Sequence, residues 1–507
     1  MNEKPTSPGQ ANRAQLLLQD IVSKALTGNM RDAESAARSL PDNDVAAEAW
    51  RLLSEINANL QRWPAARDAI EIALQHRPGA RDLRLRRAQL AAEQGRNGES
   101  LLELESLARD GLDSPQLLVH LAHALRFAGR EPEAIRLLEQ GLDLWPVDAN
   151  LHRLLAHAFW QQGEGARCTR ELERAMARFP DAMQLRLVAA DVHRNAGNPR
   201  KALELLEPGL ARAPDSAALL TSVGVLLDVL DRPAEALPYL RAAMAAAPKS
   251  AQMKQNLLTA LLHLSEHREA AALCDELLAQ TPDDQLLIAH RATAYRQAMD
   301  SRYARLHDYE RLVRVYRLVP PVDCANIAEF NARFARRLRE LHRGNAHPLG
   351  QSLFGGTQTD RNLPADDPVV AQFFSMIDAP IRDYISRLDP KDREHPTDRR
   401  AAPDYRIAGS WSVQLQPGGF HANHVHPQGW ISSAYYVELP ETSADDAPRA
   451  GWLKLGEAAT SALACPADHF IEPEAGMLVL FPSYLWHGTV PFRKGGRLTA
   501  AFDVVPA

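Results

Sequence analysis

The residues best suited to chemistry are histidines in one short segment, Gly418-Gly-Phe-His-Ala-Asn-His-Val-His-Pro. His424 and His426 are separated by a single residue, and on a strand positions i and i+2 project from one face, so both imidazoles can reach one metal ion. Farther along, the apolar run Leu478-Val-Leu-Phe-Pro-Ser-Tyr-Leu-Trp leads into a third histidine, His487, and Arg497 follows ten residues later. A lone histidine among the 18 in the chain is ordinarily a surface or satisfied core residue. The ordered set of an H-x-H pair, a distant histidine and an arginine ten residues beyond it points instead to a metal centre.

Such a site needs rigid strands to hold it. From about residue 405 onward, short runs rich in Val, Leu, Ile, Tyr and Trp alternate with Gly and Pro, which predicts strands at 409–416, 422–426, 430–439, 451–456, 476–481, 484–491 and 497–505. That density predicts an antiparallel sandwich or jelly roll. Trp411, Trp430, Tyr435, Trp452, Tyr484 and Trp486 read as its core and rim, and His469 is given no role. Upstream, helical patterns cover 326–342 and 367–388, with a Gly-rich turn at 352–359 whose segment 355–359 packs on the barrel or covers its mouth. Residues 284–318 read as helix, stopped by Leu318-Val-Pro-Pro-Val.

The first half is periodic. Pro146, Pro180, Pro214, Pro248 and Pro282 are spaced 34 residues apart, and Pro78 lies two periods before Pro146. Twelve residues before these prolines stand Ala66, Ala134, Cys168, Ala202, Ala236 and Ala270; five before stand Ala73, Gly141, Ala175, Gly209 and Ala243. Two antiparallel helices touch closely only where side chains are small, and a proline marks the start of the next unit. The pattern resembles the tetratricopeptide repeat, with about eight repeats and the first degenerate. It implies a groove for a protein or peptide partner; a spacer or a platform for a homodimer is the other reading of the same helices.

Composition sets the background. The 507 residues exceed one compact domain, and 45% hydrophobic with 24% charged residues is ordinary for a folded chain. A net charge of −6 argues against a nucleic-acid partner. No stretch approaches 18 uncharged apolar residues, which argues against membrane spanning. Cys168, Cys274, Cys324 and Cys465 lie far apart with no CxxC pair, as expected of reduced thiols in a cytoplasmic protein. The expected organisation is multidomain: a disordered N-terminus at 1–9, an all-α repeat superhelix at 10–285, a helical junction at 286–320, and an α+β double-stranded β-helix (jelly-roll) domain at 321–507.

The C-terminal constellation resembles the Fe(II)/2-oxoglutarate-dependent oxygenases of the prolyl-hydroxylase type, and most of all the bacterial group often fused to tetratricopeptide repeats. The resemblance spans roughly 320–507, with its specific part at 409–505, where Gly418 stands six residues before His424 as a glycine does before that family's H-x-D motif. It implies Fe(II), O₂ and 2-oxoglutarate as cofactor and cosubstrates. His424 and His487 are then iron ligands, Arg497 anchors the far carboxylate of 2-oxoglutarate, and Thr499 and Tyr436 add hydroxyls; strand alternation turns Ser432 inward with Tyr436. The implied reaction is hydroxylation coupled to decarboxylation of 2-oxoglutarate to succinate, on a protein or peptide held by the repeats. One position departs from the family: His426 replaces the carboxylate ligand. Three arrangements are open: His426 as third ligand, His426 beside a two-histidine centre, or His421 in its place. Asp503, on the last strand, is a poor candidate for the lost carboxylate. Two rival functions also stand: a three-histidine cupin-like dioxygenase independent of 2-oxoglutarate, and a non-catalytic scaffold with a degenerate jelly roll.

Overall fold

The computed structural model describes residues 8–507 apart from 42, 61, 360–361, 442–445, 460–462 and 464. The expected disordered segment 1–9 lies outside the described residues except for its last two, which open a helix at Pro8–Leu26. The chain divides into two compact units, Met1–Leu155 and Ala156–Ala507. No helix among the described residues is long and apolar enough to cross a membrane.

The first unit is built of helix pairs: Pro8–Leu26 with Met30–Arg38, Asp44–Asn59 with Trp63–His76, Arg81–Glu93 with Asn97–Arg109, and Pro115–Phe127 with Glu131–Leu144. The pairing continues in the second unit with Met183–Asn195 and Pro199–Arg212, Ala217–Val229 and Pro233–Ala246, and Ala251–His263 and His267–Gln280. Ala66, Ala134, Cys168, Ala202, Ala236 and Ala270, the small residues of the 34-residue pattern, are all buried. At Gly224 a Cβ would lie only 2.6 Å from Leu240 Cδ2, so the pair closes as tightly as a missing side chain permits.

Among the described residues, turns within the pairs use one left-handed residue. It is glycine at Gly95, Gly129, Gly163 and Gly197, and the same position is taken by Asp231, Ser265 and Met299. The repeat geometry therefore runs through the helix Gln285–Gln297, although the proline signature ends at Pro282. Met299 is 93% exposed with φ 54° and loses no packing on truncation. Met299→Gly is expected to stabilise the protein by up to about 1 kcal/mol by relieving the left-handed strain, measurable as a raised denaturation midpoint.

Among the described residues nine strands follow: β1 (Arg314–Arg317), β2 (Leu353–Gln358), β3 (Tyr405–His421), β4 (Ile431–Glu438), β5 (Leu453–Leu455), β6 (His469–Ile471), β7 (Met477–Pro482), β8 (His487–Thr489) and β9 (Arg497–Pro506). They form a six-stranded sheet in the order β1-β7-β4-β9-β3-β2 and a three-stranded sheet in the order β6-β5-β8, antiparallel throughout. Three expectations change. The junction 286–320 is not wholly helical: after short helices at Arg302–Leu306 and Tyr309–Leu312 it enters β1, which pairs with β7. The Gly-rich segment 352–359 is an edge strand, β2, whose glycines let its backbone approach β3; a Cβ on Gly356 would collide with the Gln414 carbonyl. Residues 422–426 form no strand, because His424 makes an isolated bridge to His487 instead of extending a ladder.

The period-2 pattern of the strands sorts their side chains. Leu498, Ala500, Phe502 and Val504 of β9 join Tyr435 of β4 and Leu478 and Leu480 of β7, and this face packs on Phe330, Phe334, Phe373 and Ile377 of the helices Ile327–Leu341 and Pro368–Ser386. The opposite face carries Arg497, Thr499 and Asp503. Between the sheets, Tyr436, Val479, Phe481, Leu453 and Leu455 share a core that runs on into Leu287, Ile288 and Ala292 of the helix Gln285–Gln297. The last repeats and the β-structure are thus one hydrophobic body.

Candidate metal centre

His424, His426 and His487 converge: each offers a ring nitrogen, and these atoms all lie within 4.8 Å of one another. Reciprocal backbone hydrogen bonds clamp His424 to His487, N to O at 2.9 Å and 3.0 Å. The backbone N–H of His426 donates to Ser483 O at 3.1 Å, which ties the first loop to the turn before His487.

The Nδ1 contacts fix the tautomers. His424 Nδ1 lies 2.8 Å from Ala422 O and His487 Nδ1 lies 2.9 Å from Leu485 O. His426 Nδ1 lies 2.6 Å and 2.7 Å from the two carboxylate oxygens of Asp503. All these partners only accept, so each Nδ1 carries the proton and each Nε2 lone pair is left for a cation. Burial and the neighbouring imidazole of His426 push His424 down to about 3, and burial with the adjacent imidazoles pushes His487 well below the usual histidine range. Both are neutral at physiological pH, the state that ligates metals.

His421 sits beside the triad without joining it. Its ring stacks on His424 at 5.6 Å and its Nδ1 lies 3.2 Å from Ser352 Oγ. Gly488 lets this segment come close: a Cβ there would stand 2.5 Å from Asn423 Oδ1 and 2.9 Å from His421 O. Gly488→Ala is therefore expected to part His424 from His487 and lower Mn(II) affinity at least about 10-fold with the repeats still folded, read by metal titration beside circular dichroism; unaltered affinity would refute the close-approach argument.

The anion side is equally defined. Arg497 is 4% exposed; its Nη1 donates to Thr489 Oγ1 at 2.7 Å, and its Nε has no hydrogen-bond partner among the described residues. The guanidinium carbon lies 5.0 Å from the centre of the Tyr436 ring, whose hydroxyl is also buried with no hydrogen-bond partner of normal geometry among the described residues. Burial pulls the Arg497 guanidinium below its ordinary value and pushes the Tyr436 phenol up. A buried cation beside orphaned polar atoms is costly unless an anion meets it. Thr499 lies on the same face of β9 and pairs across the strands with Val413 and Tyr436. A divalent cation at the imidazoles and a dicarboxylate reaching Arg497 fit the residues present.

Ser432 faces inward as expected but lies four residues from Tyr436 along β4, opposite Asp503. Its hydroxyl bonds to Asp503 Oδ1 at 2.7 Å and to Ser483 Oγ at 2.8 Å, so it serves the His426 side. Two residues escaped the sequence reasoning: Thr489, whose signal was its place two after His487 on one strand, and Asp503 as the partner of His426. Above the triad opens a cavity of about 410 Å³ lined by Gln351, Ser352, Gln358, Trp411, His421 and Gln428 among others. Trp411 stands 5.3 Å from His426 and Phe481 stands 4.8 Å from His487, ring centre to ring centre.

Residues 409–503 match a family described as "Putative 2OG-Fe(II) oxygenase", and residues 58–115, 120–167, 187–251 and 224–285 match the tetratricopeptide repeat. No curated protein matches the chain in sequence. Among solved structures, a tetratricopeptide repeat protein from Parabacteroides merdae is 13% identical, with 50% of this chain and 99% of that one covered and a TM-score of 0.36. A prolyl-4-hydroxylase from Pseudomonas putida is 17% identical over 40% of this chain and 97% of its own, with a TM-score of 0.28. A human IFIT1 dimer with m7Gppp-AAAA is 16% identical over 67% and 83%, with a TM-score of 0.35. At these scores the likenesses assign no activity to this chain.

Proposed function

Because the chain carries tetratricopeptide repeats ahead of a segment that matches the 2OG-Fe(II) oxygenases, we propose that it is an Fe(II)- and 2-oxoglutarate-dependent dioxygenase that hydroxylates a protein or peptide held by the repeats. The observation that carries this reading is an imidazole triad in one domain with a buried guanidinium, Arg497, that bonds to Thr489 two residues after His487 and, among the described residues, has no anionic partner. Bound there, Fe(II) with 2-oxoglutarate would supply the activation of O₂, the oxo acid being consumed to succinate and CO₂ as the substrate gains a hydroxyl.

The chain's own residues bind, orient and exclude water. His424, His426 and His487 present Nε2 because their Nδ1 protons are already engaged. Arg497, steadied by Thr489, pairs with the distal carboxylate of 2-oxoglutarate, and the Tyr436 hydroxyl donates to the same group. Trp411 and Phe481 keep bulk water from the rings and so strengthen the electrostatics inside. A peptide substrate is favoured because stacked helical repeats are built to hold extended chains.

The test is succinate release from 2-oxoglutarate by the full chain, with and without Fe(II) and with and without O₂. Release that needs both supports the reading. O₂ uptake without 2-oxoglutarate would favour the cupin-like alternative, and absence of metal binding would leave a scaffold.

A further inference from the structure

We propose that Asp503, acting through His426, is the carboxylate of this metal centre, supplying from the last strand the charge that the replaced ligand position no longer provides. The inference rests on the metal-centre reading above and concerns how this chain completes it.

Asp503 is placed for the purpose by several independent contacts. Both of its oxygens lie within hydrogen-bond distance of His426 Nδ1, and Ser432 Oγ donates to Oδ1. Ser432 in turn meets Ser483, whose carbonyl receives the His426 backbone N–H. The carboxylate, the imidazole and the two serines therefore form a closed network that sets the ring's rotation as well as its tautomer. Gly429 makes room for it, since any Cβ there would collide with Ser483 Oγ. Side-chain exposures of 13% for His426 and 15% for Asp503 keep the pair largely out of water, where its charge acts at short range with little screening.

Charge balance gives the network its meaning. Three neutral imidazoles leave a divalent ion with two positive charges. A carboxylate one hydrogen bond out reduces that to one, the same as when a carboxylate binds directly. With a dicarboxylate on the metal and Arg497 on its far end, the buried set sums to zero. An acidic residue at 426 would instead face Asp503 across a hydrogen-bond distance, and two carboxylates there repel. His426 and Asp503 thus form one unit in which the ligand has moved outward by one ring. A carboxylate that orients a ligating histidine typically accounts for about 10- to 100-fold in metal affinity.

The experiment is Mn(II) binding by the full chain without 2-oxoglutarate, followed by the electron paramagnetic resonance of the free ion, so turnover is not needed. Asp503→Asn keeps shape and an accepting oxygen but removes the charge; it is expected to weaken binding about 10- to 100-fold. In the H426D background the same substitution is expected to leave affinity unchanged or raise it, because it removes a repulsion. Unchanged affinity of Asp503→Asn in the native background would overturn the proposal, as would an equal loss in both backgrounds, which marks a purely architectural residue. Failure of the unaltered protein to bind Mn(II) would remove the metal centre itself, and this role with it; that outcome is distinct because it precedes any substitution.

Discussion

Arg497→Leu is expected to abolish cosubstrate binding while leaving the unliganded protein as stable as before, or more so. In most buried ion pairs, removing one partner strands the other and lowers both stability and affinity. Among the described residues no carboxylate accepts from Arg497; its Nη1 bonds to Thr489, and its Nε is unsatisfied. The unliganded fold therefore bears the cost of desolvating a cation, and leucine, shorter and uncharged, removes that cost. A dicarboxylate entering the variant site would leave one end buried without a counter-charge, a loss of about 2–5 kcal/mol, or roughly 30- to several-thousand-fold in affinity. The measurement is the melting temperature with and without 2-oxoglutarate in the presence of Mn(II). The native protein should gain stability on adding the oxo acid, and the variant should gain none while melting at or above the unliganded native value. A variant that still responds to 2-oxoglutarate would show that the anion is held elsewhere.

This opposition between stability and binding explains why the site could be read from sequence in part. His424, His426, His487 and Arg497 have no reason to cluster in a plain core, so their types and order were informative by themselves. The route to convergence was not. The i, i+2 spacing suggested a strand at 422–426, yet the rings meet because His424 bridges to His487 and the His426 N–H is tied to Ser483. Those are pairings between distant segments, which no local period encodes. The pairing of Asp503 with His426 was hidden for the same reason, and Asp503 was set aside for its place on the last strand. Alternation on β9 places it on the face of Arg497, but only the register of Ser432 opposite Asp503 brings it under His426.

Elements were legible where local and global preferences agreed. The helices at 327–341 and 368–386 and the strands β4, β7 and β9 emerged near their expected places. β2 did not, because Gly355 and Gly356 look like a turn when the partner strand is unknown. Their purpose is contact: the register shifts between Phe354 and Gly356, and β3 passes too close for side chains. β1 spans four residues with no buried member, so its pairing with β7 leaves almost no trace in composition. In the repeats the proline signature ended one helix early, since the left-handed turn at Met299 uses a residue that no propensity favours.

The second large effect concerns where the chain can be cut. A fragment of residues 321–507, the jelly roll as the sequence delimits it, is expected to bind no metal, whereas residues 149–507 should bind it like the full chain. The shorter fragment lacks β1 and thereby opens the edge of β7. It also loses the clamps on both ligand-bearing loops. Gln285 N donates to Pro427 O at 3.0 Å, next to His426, and Thr293 Oγ1 receives Trp486 Nε1 at 3.1 Å, next to His487. Tyr484 loses its bond to Leu306 O, Tyr384 its bond to Leu312 O, and the Asp398 carboxylate its bidentate partner Arg311. At about 1 kcal/mol for each neutral bond and more for the charged pair, these losses alone approach the total margin of a typical domain, before the uncovering of Leu453, Leu455, Val479 and Trp486 is added. The longer fragment keeps every one of these contacts and includes the whole compact unit Ala156–Ala507. Mn(II) titration with circular dichroism distinguishes the cases: metal binding by 321–507 would mean that the last repeats only adjoin the β-structure, while its loss there and retention in 149–507 would make the helix Gln285–Gln297 a working wall of the metal centre.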